Sequence, residues 1–162
     1  MLEVGKKAPE FSLKALDGKQ YSLDSLLGSG PVIAAFFKIS CPVCQFTFPF
    51  LQRLSERFAG KNVSVIGISQ DDARNTKEFN REYGVTFPTL IDDSGYPASN
   101  AYGLTNVPTI FLIDSDGTVK VCSTGFDKAA LEQIVNELTQ QEKVVSFRLF
   151  RPDEVVPTYK PG

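Results

Sequence analysis

Two cysteines stand three positions apart in the stretch Ser40-Cys41-Pro42-Val43-Cys44, inside an otherwise apolar and aromatic run. A close pair of sulfurs can serve as half of a metal clamp, as a structural staple, or as a redox couple that opens and closes. The chain holds three cysteines and no histidine. A structural zinc site commonly takes four ligands from cysteine and histidine, and only the distant Cys122 could join the pair. Gln45 follows Cys44, so the C-x-x-C-H pattern of haem attachment is absent. Three cysteines are too few for a disulfide scaffold, and in a reducing compartment a close pair points to catalysis or metal binding rather than a staple.

The placement of the pair favours redox chemistry. Cys41 lies where an apolar run ends and a helical pattern begins, so its sulfur faces the unsatisfied N–H groups and positive dipole end of the first helical turn. At such positions C-x-x-C thiols reach pKa values of roughly 3.5–7.5. Cys44, one turn on, is expected on the same side and within disulfide reach. Pro42 suits the first helical turn and removes one N–H donor. The expected reaction is thiol–disulfide exchange, with Cys41 attacking and Cys44 resolving the mixed disulfide. Two ordinary buried cysteines are the plain alternative.

The surrounding pattern supplies elements to position the pair. Phe11 to Leu13 and Gln20 to Leu23 flank Asp17-Gly18, a hairpin turn signal. Residues 31–39 form a near-continuous apolar run, as in a strand buried on both faces. From Pro42, the positions of Phe46, Phe50, Leu51, Leu54 and Phe58 predict a helix ending near Gly60. A second buried strand over 62–69, a polar helix over 72–83 stopped by Gly84, a short strand over 87–92 and a helical turn at Ser99–Gly103 follow. Residues 106–125 read as a hairpin about Ser115-Asp116-Gly117, and 127–141 as an amphipathic helix. This order predicts an α/β fold: a central mixed sheet with helices on both faces and an N-terminal β-hairpin extension.

Residues 1–141 are thus read as one domain and 142–162 as a C-terminal extension. In that extension Val145, Phe147 and Leu149 alternate as in a strand, and three prolines are expected to prevent regular structure beyond them. It is expected to dock on its own domain or on a neighbouring subunit.

The 162 residues suffice for one domain with a proper core. Hydrophobic residues at 42% and charged residues at 22% are ordinary for a soluble protein, and a net charge of -2 gives no reason to expect nucleic acid or an anionic membrane as partner. No apolar stretch approaches the roughly 20 residues of a bilayer span. The N-terminus lacks a signal-peptide core, so the chain is read as cytoplasmic.

The sequence resembles the thioredoxin-fold proteins, in particular the TlpA/ResA-type thiol–disulfide oxidoreductases and the related peroxiredoxin-like AhpC/TSA superfamily. The resemblance runs from about Gly5 to Gln140. It rests on Gly5–Leu13, the Phe36–Cys44 segment, Pro49, Gly67–Asp72, the Tyr83–Gly95 stretch and the Tyr102–Gly117 block. It implies a three-layer thioredoxin-like sandwich. It also implies a cis peptide at Val107-Pro108 facing the cysteines, whose backbone, with Pro42, borders the substrate. Such a turn would let Val107 pair with an extended substrate strand beside Cys41. Pro49 is expected to be structural.

Departures from the family pattern bear on mechanism. The resemblance implies a buried carboxylate near the resolving cysteine, but the two usual positions hold Ala35 and Thr47, so Cys44 must lose its proton to water or another group. Ser40 replaces the usual aromatic before the first cysteine. Lys38 either supports a thiolate or reaches out to solvent.

Three functions are compared. The first is a dithiol oxidoreductase acting on protein or small-molecule disulfides, served by a thiol reductant or thioredoxin system, without cofactor or metal, as a monomer or weak dimer. The second is a thiol peroxidase, for which the resemblance implies a Thr or Ser where Lys38 stands and an arginine where Pro108 stands. The third is a non-enzymatic redox-sensing module. Cys122 is expected to be core or half-buried, with a regulatory disulfide as the alternative.

Overall fold

The computed structural model describes all 162 residues. The expected N-terminal hairpin forms from β1 (Ser12–Lys14) and β2 (Gln20–Ser22), with Leu13 opposite Tyr21. Leu23, expected at the end of its second strand, instead opens the short helix α1 (Leu23–Leu27). Ser22 caps that helix by accepting the Ser25 N–H at 3.2 Å, which ends the extended backbone one residue earlier.

The apolar run becomes β3 (Val32–Phe37), every residue of it buried, and leads into α2 (Pro42–Arg57). After α2 come β4 (Ser64–Ser69), α3 (Ala73–Tyr83), β5 (Thr89–Ile91), α4 (Pro97–Ala101), β6 (Thr109–Ile113) and β7 (Val119–Thr124). The two-residue β8 (Phe126–Asp127) precedes α5 (Lys128–Gln141), and β9 (Tyr159–Lys160) lies almost at the C-terminus. Local chemistry accounts for the boundaries of α3. Asp72 accepts the Asn75 N–H at 2.8 Å, and Gly84 closes the helix in the left-handed conformation at φ 69°.

The main sheet has the order β5-β4-β3-β6-β7. β3, β4 and β5 run parallel, whereas β6 pairs antiparallel with β3 and β7 antiparallel with β6, giving the expected mixed sheet. One face is covered by the three long helices. Phe48, Leu51 and Leu54 of α2, Phe79 of α3 and Leu131, Ile134 and Leu138 of α5 pack there against Ile33, Ala35 and Phe37. The other face is covered by the short helices and the N-terminal segment, through Phe11, Leu23, Ala98 and Tyr102. The three-layer arrangement is therefore unequal, with one thick and one thin helical layer.

The C-terminal extension departs from its expected conformation. No strand forms over Val145–Leu149: Val145 is exposed, Phe147 packs edge-on to Phe58 beneath the Arg57 guanidinium, and Leu149 is buried. Val144 rather than Val145 turns to the core, and the segment lies against the end of α2 instead of a strand edge, so the alternation corresponds to no strand. Regular structure appears instead among the prolines, where β9 sits between Pro157 and Pro161 and pairs antiparallel with β8. Proline is tolerated in so short an edge strand because only a few N–H groups are needed. The extension docks on its own chain. Leu149 and Phe150 join the α2–α5 side of the core, and Arg53 of α2 grips Glu154 through two hydrogen bonds of 2.7 and 2.6 Å.

Candidate active site

The site begins where β3 stops. Its last residue, Phe37, is followed by a turn in which the Cys41 N–H donates to the Lys38 carbonyl at 3.3 Å. Cys41 then takes the N-cap position of α2, with Pro42 exposed directly after it. The Cys41 sulfur accepts the Cys44 N–H at 3.1 Å, so one of the unpaired donors of the helix start points at the sulfur. Cys41 is partly open to solvent and Cys44 is fully buried, one turn deeper. An attacking sulfur at the surface and a second one behind it is the arrangement that exchange chemistry uses.

The thiol of Cys41 also donates to the Val107 carbonyl at 3.6 Å. Val107 and Cys41 are 66 residues apart in sequence, and antiparallel pairing of β6 with β3 brings them together. The Val107-Pro108 peptide is cis. Its loop is held on both sides: the Thr109 hydroxyl donates to the Asn106 carbonyl at 2.8 Å, and the Gly125 N–H donates to the Pro108 carbonyl at 2.8 Å. Cys41, Cys44, Pro42, Val107 and Pro108 thus share one small region. Beside it, Lys38, Gln70, Leu104, Thr105, Asn106 and Val107 line a depression of about 200 Å³.

Lys38 is exposed, the outcome in which its long side chain simply reaches water. Ala35 and Thr47 are both buried, and the Thr47 hydroxyl is spent on the Val43 carbonyl at 2.7 Å, so neither can take a proton from Cys44. One carboxylate was missed. Asp71, just past β4, accepts the Ile39 N–H at 2.8 Å. The parallel register sets Phe37 beside Ser69, so two residues further along Ile39 and Asp71 meet. Residues beyond the carboxyl ends of parallel strands are where α/β sheets build their sites, and that rule was the available signal.

Cys44 sits in surroundings that oppose its ionisation. Burial pushes the Cys44 thiol well above the ordinary cysteine range, and its hydrogen bond with Cys41 and the negative charges of Cys41 and Asp71 push it the same way. Cys44 therefore holds its proton near neutrality. Cys122, on β7, packs half-buried against the opposite face of the sheet, and burial raises its thiol also.

The fold and this dithiol define the class: a thioredoxin-fold protein with an N-capping cysteine, a buried partner and a facing cis proline. The chain belongs to the AhpC/TSA family, whose profile matches residues 4–122. Among curated relatives it is similar to the thiol-disulfide oxidoreductase ResA of Bacillus thuringiensis, 33% identical over 142 residues that cover 87% of this chain and 75% of the relative. Among solved structures, a thioredoxin-family thiol:disulfide interchange protein from Chlorobium tepidum superposes with a TM-score of 0.69 at 29% identity, over 85% of this chain and 98% of that one. Peroxidoxin BcpB from Mycobacterium tuberculosis superposes with a TM-score of 0.70 at 22% identity, over 90% and 99% of the two chains, and is a likeness of fold. With the C-x-x-C pair in place, the chain is a thiol–disulfide oxidoreductase.

Proposed function

We propose that the chain reduces disulfides of proteins or small molecules, with Cys41 as nucleophile and Cys44 as resolving thiol. The observation that carries this reading is the Cys41 sulfur, accessible at the helix start and held by the Cys44 N–H at 3.1 Å. The Cys41 thiolate attacks one sulfur of a substrate disulfide. A Cys41–substrate disulfide forms, and the other substrate sulfur leaves and takes up a proton. Cys44 then loses its proton and attacks the Cys41 sulfur, expelling the second substrate thiol. Two electrons have passed to the substrate, and a Cys41–Cys44 disulfide remains for an external dithiol to reduce. The cis loop supports substrate pairing at the Val107 backbone, and Pro42 borders the same opening. A reducing compartment such as the cytoplasm, and a monomer or weak dimer, complete the proposal.

Insulin reduction driven by dithiothreitol tests it. The Cys41→Ser variant is expected to lose turnover entirely, and Cys44→Ser to accumulate mixed disulfides on Cys41. Full activity in Cys41→Ser would refute the assignment of nucleophile. The reduction potential of the couple tests the direction of flow, because related dithiols span about -270 to -120 mV from reductant to oxidant. A peroxidase reading draws on the family and on the fold shared with the peroxidoxin. Against it stands the lack of a hydroxyl or guanidinium at positions 38 and 108, and a peroxide-consumption assay separates the two.

A further inference from the structure

The end of the chain reaches the active site. β9 pairs with β8, with Phe126 opposite Lys160, and the Lys128 N–H donates to the Thr158 carbonyl at 3.0 Å. β8 directly follows Gly125, whose N–H holds the Pro108 carbonyl. Gly125 sits at φ 69°, and a methyl group on it would collide with the Lys160 carbonyl oxygen, so a glycine is required for the tail to lie this close. Two residues on, Gly162 lies so tightly on Val107 that a methyl group there would collide with the Val107 carbonyl oxygen and crowd Asn106. That oxygen is the one to which the Cys41 thiol donates. The Lys160 ammonium stands 5.0 Å from the centre of the Phe46 ring, on the first turns of α2. The tail therefore touches the cis-proline loop, the active-site helix and the residue facing the nucleophile.

We propose that residues 158–162 determine specificity: in the resting enzyme they occupy the ground that an extended peptide must take to pair with Val107 beside Cys41. The inference rests on the thiol–disulfide reading of the site and names its substrate preference. A small disulfide needs only the open sulfur of Cys41 and reacts with the tail in place. A peptide disulfide must add its own backbone at Val107 and so must first displace Gly162 and unzip β9 from β8. An edge closed for most of the time lowers apparent affinity by the fraction open, which here means that peptides pay a penalty and small disulfides none.

The test is a truncation after Pro157, which removes five residues and leaves Leu149, Phe150 and the Arg53–Glu154 pair in place. With insulin as substrate, kcat/KM is expected to rise about five- to tenfold, and exchange with bis(2-hydroxyethyl) disulfide to stay unchanged. Lys160→Glu keeps the length but replaces the cation over the Phe46 ring with an anion, and is expected to give a rise of about two- to threefold by the same reasoning. Hydrogen exchange gives a readout independent of turnover. On the Cys44→Ser variant carrying a peptide as a mixed disulfide, the amides of Lys160 and Lys128 are expected to lose protection, whereas a mercaptoethanol cap leaves them protected. An unchanged or reduced insulin rate after truncation, with small-disulfide exchange intact, overturns the role given to the tail. Protection that survives peptide trapping does so equally. Failure of the wild-type chain to exchange even the small disulfide sinks the underlying reading of the dithiol instead.

Discussion

In the proposed mechanism, turnover depends on Cys44 in a pH-sensitive way. Its thiol is protonated near neutrality because burial, the Cys41 contact and the Asp71 charge all oppose its ionisation. Once Cys41 is tied up in a mixed disulfide, its own contribution goes, but burial and Asp71 remain. The thiolate fraction of a group far below its pKa grows tenfold per pH unit. The resolution step, followed by single-turnover release of the second substrate thiol, is thus expected to accelerate by up to about tenfold per unit between pH 6 and 8. Asp71→Asn removes a negative charge that disfavours the Cys44 thiolate, so the profile should move to lower pH. A slower resolution step at every pH would instead make Asp71 the proton acceptor that Ala35 and Thr47 cannot be.

Among the elements, α2 and the C-terminal extension depend on one another. α2 runs through Pro49 without interruption, and its buried faces hold two aromatic groups. Phe48 joins Phe37, Phe79 and Phe87, whereas Phe50 meets Phe126 and Phe150. Phe150 belongs to the extension yet is only 7% exposed, with Phe50 5.0 Å and Phe126 5.9 Å away between ring centres. Phe150→Ala is expected to cost about 3 kcal/mol in urea unfolding, the low end for a buried phenylalanine. An extension that merely trailed from the surface would leave the midpoint unmoved. The element-level pattern was largely readable. Apolar period and turn residues located β3, α2, β4, α3 and α5 because those signals are confined to a few neighbouring positions. Leu23 was misplaced because the cap at Ser22 outweighs one residue of alternation. The alternation of Val145, Phe147 and Leu149 does not become a strand because Val144 rather than Val145 turns to the core, and the segment lies against helices that offer no strand to pair with.

For the whole molecule, the buried thiol also couples folding to alkaline pH. An unfolded cysteine ionises near pH 8.5, whereas folded Cys44 keeps its proton, so above that pH the native state binds more protons than the unfolded one. Its contribution is fully present below about pH 8.5 and is lost as pH rises further, with a slope of up to about 1.4 kcal/mol per pH unit from this one group. Urea unfolding of the reduced protein from pH 8 to 10 should fall more steeply in the wild type than in Cys44→Ser. Equal slopes would mean that Cys44 is not sealed from solvent.

Certain features followed from the chain alone: a sulfur pair at a strand-to-helix junction, the absence of histidine, and an alternation of elements that admits few topologies. Each is a local property, carried by residue identity and by periods of two to four residues. Other features needed the fold. The meeting of Val107 with Cys41, of Asp71 with Ile39, and of Gly162 with Val107 joins residues 32 to 66 positions apart. Register between strands and docking of the tail decide those contacts. They depend on which surfaces fit once the sheet is assembled, and no short-range pattern in the chain records that fit.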